Sequence, residues 1–345
     1  MKIQTLNVQL SSKCSLCCKY CTQGKISVGG PGDMEPWLRE ATQKIGLKKE
    51  VTVVTLGFMG ETTIIPWWTD WINPILDVGK CVKMSTNGAR PYTNETLKSL
   101  ARVNEVLISI DSTKEEVMRR LRGANVNTVV ENTIKINEAR KGQPLNVIWG
   151  AVWTAGTAGD LSDLARLAKK CNVRYIGINL VYKFAEADSS IVCPFDLEGK
   201  EFLAEMDQLE KACQVANSLG VGMAVPSNDV AKLLKNRALG QEAPGLIRVC
   251  TPNIQGHSEH YIIKMNDRET RNCNMAWQGP YIAANGDVYA CCFAGTKLGK
   301  VTPENTIEQV WNGPAFNAWR QSIITGVNLD TACQHCPMTE RKACK

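Results

Sequence analysis

The chain has 345 residues, 44% of them hydrophobic, enough to bury a sizeable core and to exclude a disordered protein. Its formal net charge of +6 is spread among interleaved acids and bases, as in Lys114-Glu115-Glu116-Val117-Met118-Arg119-Arg120, which reads as a solvated helix face and excludes a nucleic-acid footprint. No apolar run approaches the length of a membrane span and no signal peptide precedes the first cysteines, so the spacing of the fifteen cysteines is read as ligand sets in a reducing cytoplasm.

Residues 4–10 alternate and predict a first strand, which feeds directly into Cys14-Ser15-Leu16-Cys17-Cys18-Lys19-Tyr20-Cys21. Thiols this close in sequence can converge on one metal centre, and soft sulfur ligands favour zinc or an iron–sulfur cluster. Zinc usually takes four protein ligands in paired C-x2-C knuckles. Here C-x3-C-x2-C selects Cys14, Cys18 and Cys21 and leaves Cys17 as a bystander. Taken alone, the array leaves a zinc knuckle or a chance cluster open.

A glycine-rich loop at 27–33 precedes a helix from Pro36 to about Leu47. Strands are then predicted at 51–56, 80–84, 106–110, 146–153 and 174–181, with helical patterns at 94–102, 114–121, 126–141 and 160–171. The alternation implies parallel β/α units, and six of them without a second doubly wound half predict a partial (β/α)6 barrel of TIM type. In such barrels the chemistry sits in loops after the strand C-termini. There the sequence places the cysteines, then Gly57-Phe58-Met59-Gly60-Glu61-Thr62, then Ser85-Thr86-Asn87-Gly88, then Ser109-Ile110-Asp111. Singly these are weak, since Asn87-Gly88 also reads as a tight turn and Ser109 or Asp111 as a helix cap.

A long amphipathic helix is predicted at 200–219 and one more strand at 221–225, which closes the barrel domain (1–225). Residues 226–272 read as an irregular, polar linker with Pro244, Pro252 and Gly256. The third region, 273–345, runs Cys273, twelve residues, Gly286, four residues and Cys291, then closes with Cys333-x2-Cys336. Asn285-Gly286 is a hairpin signal that carries Cys273 and Cys291 back toward each other, and helices follow at 307–311 and 315–322. A structural zinc site is the alternative for these ligands. Cys81, Cys171, Cys193 and Cys213 read as core thiols, Cys292 faces away from its neighbour's side of the strand, and His257, His260 and His335 form no catalytic dyad. Trp67-Trp68 reads as a pair of apolar anchors.

Motifs in this order, from residue 4 to about 181, resemble the radical S-adenosylmethionine (radical SAM) superfamily. The resemblance implies that Cys14, Cys18 and Cys21 hold a [4Fe–4S] cluster whose open iron chelates SAM, and that one electron cleaves SAM to a 5′-deoxyadenosyl radical. Tyr20 matches the aromatic residue before the last cysteine. Gly60 and Glu61 match the Gly-Gly-Glu motif that holds the SAM amino group, with Met59 in place of the first glycine. Thr86 and Asn87 resemble the family's Thr-Asn-Gly, Ser109 and Asp111 suit the ribose and charged groups of SAM, and Arg122 stands where similar enzymes carry an arginine for its carboxylate, with Arg119 and Arg120 as alternatives for that role. The tail resembles the SPASM/twitch extension, which implies an auxiliary [4Fe–4S] cluster on Cys273, Cys291, Cys333 and Cys336. A full SPASM domain carries further cysteines, whereas only Cys344 follows here, so one auxiliary cluster is expected.

The resemblance implies an enzyme that abstracts a substrate hydrogen, modifying a peptide or protein by oxidation, cross-linking or epimerisation. The alternative is a dehydrogenase or epimerase of a small sugar or aminocyclitol. A non-enzymatic iron–sulfur electron carrier is more remote, because a carrier needs no Glu61 or Asp111. Thirteen residues precede Cys14, so a peptide substrate would be recognised by the barrel itself or by a separate protein. An external one-electron donor such as flavodoxin or ferredoxin is expected. Cys250, in the linker near Pro252, is a candidate hydrogen-atom donor, with a structural thiol or a further cluster ligand as the alternative.

Overall fold

The structure is a computed structural model that describes residues 1–21, 32–57, 59–140, 142, 146–181, 188–197, 199–225, 263–265, 269–271, 273, 275–291, 296–329, 333 and 342–343. In chain order the elements are β1 (Thr5–Val8), α1 (Pro36–Leu47), β2 (Val53–Leu56), α2 (Trp68–Asp77), β3 (Cys81–Thr86), α3 (Asn94–Leu100), β4 (Glu105–Ser109), α4 (Glu115–Arg122) and α5 (Val126–Ala139). There follow β5 (Asn146–Trp153), α6 (Leu161–Lys170), β6 (Tyr175–Leu180), α7 (Gly199–Ser218), β7 (Gly222–Ala224), β8 (Ile263–Met265), β9 (Glu269–Arg271) and α8 (Met275–Gln278). The last are β10 (Tyr281–Ile282), β11 (Asp287–Tyr289), β12 (Lys297–Lys300), α9 (Ile307–Trp311), α10 (Pro314–Thr325) and β13 (Lys342–Ala343). They divide into two compact units, one of residues 1–13, 27–84 and 255–345, the other of residues 14–26 and 85–254.

In the first unit the sheet order is β12-β11-β10-β1-β2-β3. β1 pairs parallel with β2, Leu6 opposite Val54 and Val8 opposite Leu56, and all four side chains are buried. The C-terminal hairpin β10–β11 is part of this sheet, since β10 lies parallel to β1 with Val8 opposite Ile282. β8, β9 and β13 form a small antiparallel sheet. α1 opens on Pro36, which suits a first-turn position where the missing N–H is not needed, and buries Leu38 and Ile45.

α2 is a helix that the sequence patterns above did not signal. Its buried Trp68, Trp71, Ile72 and Ile75 follow helical spacing, but Pro74 lies inside it. Proline removes the N–H that would bond the Asp70 carbonyl. Gln43 of α1 supplies the donor instead, its Nε2 reaching the carbonyls of Asp70 at 3.3 Å and Trp71 at 2.8 Å.

In the second unit β4, β5, β6 and β7 are parallel neighbours in that order, with Ser109 opposite Gly150 and Gly150 opposite Gly177. Val106, Ile108, Trp149, Ala151, Trp153, Ile176 and Ile178 form the buried heart of this sheet. The two tryptophans satisfy their N–H groups inside the core, Trp149 on Thr133 Oγ1 at 3.2 Å and Trp153 on Glu205 Oε2 at 2.8 Å.

Candidate functional site

Cys14, Cys18 and Cys21 are half-buried, while Cys17 is exposed. The loop that carries them is held at both ends within the second unit. At the first end Asn87, just after β3, donates from Nδ2 to Ser15 Oγ at 3.2 Å and lies 3.6 Å from Cys14 Sγ. Asn87 is itself fixed by the Ala89 N–H on its Oδ1 at 2.9 Å. Asn132 of α5, which no sequence signal singled out, donates to the carbonyls of Gly88 and Arg90 at 2.9 and 2.7 Å and pins the same turn. At the second end the Lys19 N–H donates to the Leu121 carbonyl at 2.9 Å, and the Asp188 N–H to the Lys19 carbonyl at 3.2 Å. Burial pushes the Cys18 thiol up to about 11, against the pull of the Arg122 cation, and Cys21 and Cys14 add to the rise.

Asp111 is fully buried and Arg122 is 7% exposed. α4 presents Arg122 because Glu115 and Glu116 sit in its first turn and its basic residues in its last, matching the helix dipole, and Gly123 closes it in the left-handed conformation at φ 74°. Arg122 donates from Nε and Nη2 to Asp111 Oδ2 and Oδ1, both at 2.8 Å. Tyr20 Oη donates to Oδ2 at 2.5 Å and the Val152 N–H to Oδ1 at 2.8 Å. Burial holds the Tyr20 hydroxyl well above its ordinary pKa, Arg122 pulling it down and Asp111 pushing it up. Burial works to lower the Arg122 pKa, but the charge and hydrogen bonds of Asp111 together with the neighbouring Tyr20 and Cys18 outweigh it and hold it above its ordinary value. Thr86 is buried at the end of β3, where its Oγ1 lies 2.9 Å from Tyr92 Oη; Ser109 is half-buried at the end of β4.

Gly60 and Glu61 belong to the first unit. Gly60 has φ 78°, and a Cβ on it would lie 2.2 Å from the Ser11 carbonyl oxygen and 3.0 Å from that of Lys13. The loop therefore runs against the backbone that leads into the cysteines, and only glycine fits. The Glu61 N–H donates to the Lys13 carbonyl at 2.7 Å. Its side chain is 2% exposed, and Oε1 accepts from Thr63 N at 3.1 Å and Thr63 Oγ1 at 2.6 Å. Gly60→Ala is expected to destabilise the protein by roughly 2 kcal/mol or more, left-handed strain adding to the clash. Thermal melting checks it; a variant that melts with the wild type would show that the loop relaxes freely.

Of the C-terminal candidates, Cys273 and Cys291 are half-buried and Cys333 is buried. Gly286, between the first two, has φ 85°, and a Cβ there would lie 2.8 Å from the Val301 carbonyl oxygen. Cys336, Cys250, Cys292, Cys344, His257, His260 and His335 lie outside the described residues. Among the described residues no three His, Cys, Asp or Glu side chains gather closely enough to hold a single metal ion. An iron–sulfur cluster makes a different demand, one thiolate on each of several irons, and the soft, accessible thiols of the cysteine loop suit it. No helix among the described residues is long and apolar enough to cross a membrane.

Residues 8–150 match the Radical SAM superfamily and residues 273–337 the SPASM iron-sulfur cluster-binding domain. No curated protein matches the chain. Among solved structures, Streptococcus suis SuiB bound to precursor peptide SuiA is 14% identical with a TM-score of 0.64, over 92% of this chain and 66% of that one. SuiB bound to S-adenosylmethionine is 14% identical with a TM-score of 0.62, over 94% and 67% of the two chains. Native anSMEcpe with bound AdoMet and Cp18Cys peptide is 16% identical with a TM-score of 0.57, over 96% and 86%. This chain thus spans about two thirds of SuiB's length, and at such identities the likeness is one of fold. A radical SAM domain implies SAM with a [4Fe–4S] cluster, and a SPASM domain implies auxiliary iron–sulfur clusters. The two family matches fall in the order and at the residues where the cysteine sets lie, a radical SAM domain at 8–150 followed by a C-terminal SPASM domain at 273–337.

Proposed function

We propose that this enzyme modifies a peptide or protein, by oxidation, cross-linking or epimerisation. The supporting observation is the fold shared over 92% and 96% of the chain with SuiB bound to a precursor peptide and anSMEcpe with a bound peptide. When bound, the cluster and SAM supply a 5′-deoxyadenosyl radical that takes one substrate hydrogen atom. In this reading Cys14, Cys18 and Cys21 hold the cluster, and an external one-electron donor such as flavodoxin or ferredoxin reduces it. Gly60 lets the backbone close on residues 11–13, and Glu61 holds the SAM ammonium. Thr86, Asn87 and Ser109, at the ends of β3 and β4, meet the polar groups of SAM. Cys273, Cys291, Cys333 and Cys336 hold one auxiliary cluster.

Glu61→Gln is expected to weaken SAM binding about ten- to a hundredfold, because a charge-assisted hydrogen bond is worth roughly 1.5–3 kcal/mol. Equilibrium dialysis with the cluster intact measures it, and unchanged affinity would remove Glu61 from the site. The reaction itself is tested by supplying the reduced, reconstituted enzyme with SAM and short peptides encoded beside its gene. The expected result is 5′-deoxyadenosine formed in step with a modified peptide, either lacking two hydrogens or carrying solvent deuterium at one carbon. Turnover of a small sugar or aminocyclitol, with every peptide untouched, would overturn the peptide reading.

A further inference from the structure

We infer that Tyr20, Asp111 and Arg122 are positioning residues: they form a strut that fixes the Cys18–Cys21 end of the cysteine loop, and they do not bind SAM directly. The inference rests on the radical SAM reading of that loop. Its first support is saturation. A carboxylate offers about four acceptor directions. Asp111 spends them on Arg122 Nε, Arg122 Nη2, Tyr20 Oη and Val152 N, at 2.5 to 2.8 Å, and none of its surface is exposed. A ribose hydroxyl would have to displace one of these donors. Arg122 in turn uses two N–H groups in a fork on Asp111, a geometry that fixes the guanidinium plane. Its central carbon lies 5.4 Å from the centre of the Tyr20 ring.

The second support is where the strut leads. Val152 belongs to β5, which is held in register with β4 by Ser109 opposite Gly150. Asp111 follows β4 by two residues, so the path from the sheet to Tyr20 crosses a single side chain. A helix end leaves its last carbonyls without helical partners. In α4 the Leu121 carbonyl receives the Lys19 N–H at 2.9 Å, and the Arg122 carbonyl lies 3.9 Å from Cys18 Sγ. The turn that aims the Arg122 side chain at Asp111 is therefore also the surface on which residues 18–20 dock. Asn87 serves the Cys14 end of the loop separately.

The test uses the full chain, reconstituted without oxygen, as Tyr20→Phe, Arg122→Lys and Asp111→Asn, with Glu61→Gln as a comparison that should act on SAM alone. Three quantities are read: the rate of iron loss to a chelator, the electron paramagnetic resonance spectrum of the reduced cluster without SAM, and SAM affinity. Tyr20→Phe and Arg122→Lys are expected to lose iron about three- to tenfold faster than wild type, the range set by one lost hydrogen bond. Both should show a shifted spectrum before any SAM is added, whereas Glu61→Gln keeps the wild-type rate and spectrum. Should the charged-pair variants fail to fold, Tyr20→Phe still decides, because it deletes one hydroxyl and keeps the ring. Wild-type iron loss and spectrum in Tyr20→Phe would overturn the strut. So would an Arg122→Lys protein whose sole defect is tenfold weaker SAM binding, which would make Arg122 a SAM ligand. A wild-type chain that takes up no four-iron cluster would overturn the reading of the loop and this inference together.

Discussion

Replacing Cys18 by alanine is expected to abolish the radical-site cluster and reductive SAM cleavage together, whereas Cys17→Ala keeps both. The two residues are adjacent, so a general disturbance of the loop would affect them alike; ligation would not. Cys17 is exposed, while Cys18 is half-buried and within electrostatic reach of Cys14 and Cys21. The Cys21 N–H donates to the Cys18 carbonyl at 3.0 Å, a turn that keeps these two cysteines together. Iron–sulfur clusters are held by thiolates, and in the proposed reading Cys14, Cys18 and Cys21 would supply them. The measurements are iron content, the spectrum of the reduced protein and 5′-deoxyadenosine formed from SAM. If Cys17→Ala loses the cluster and Cys18→Ala retains it, the register Cys14, Cys18, Cys21 is wrong.

Full reconstitution is expected to bring about eight irons per chain, two four-iron clusters, and Cys291→Ala about four. Cys273 precedes α8, and Cys291 follows β11 of the hairpin closed by Gly286. Arg320 of α10 ties the remaining piece on, with Nε on the Ala276 carbonyl at 2.8 Å and Nη2 on the Trp311 carbonyl at 2.9 Å. Its guanidinium also lies 4.3 Å above the Trp311 ring. A buried cation bonded to two backbone carbonyls holds α10 against α8 and α9. Since the cysteine loop belongs to a different ligand set, Cys291→Ala should still yield 5′-deoxyadenosine. Iron and sulfide analysis decides the point; four irons with one zinc per chain would replace the auxiliary cluster by a structural zinc site.

Much of this was readable along the chain. Strands β1 to β6 fall on the alternating or apolar runs, because the period of buried residues is a local property of sequence. The C-x3-C-x2-C spacing and the positions of Glu61, Asn87 and Asp111 after successive strands led to the family without any structure. α2 was not readable, since Pro74 signals a helix end, and what cancels that signal is Gln43, thirty-one residues earlier and on another helix.

The same distinction runs through the site. The resemblance of the motif series to the radical SAM superfamily nominated Tyr20, Asp111 and Arg122 as contacts to SAM. Which groups would saturate Asp111 could not be read there. Its partners come from positions 20, 122 and 152, and are brought together by β-sheet register and by the end of α4. Asn132, on a helix whose periodicity marks it only as a polar residue, is buried because its amide meets two carbonyls of the turn after β3. Hydrogen-bond satisfaction of buried groups is settled by three-dimensional neighbours that no local pattern encodes, and only the folded chain shows the Asp111 carboxylate taken up by Tyr20, Arg122 and the Val152 N–H.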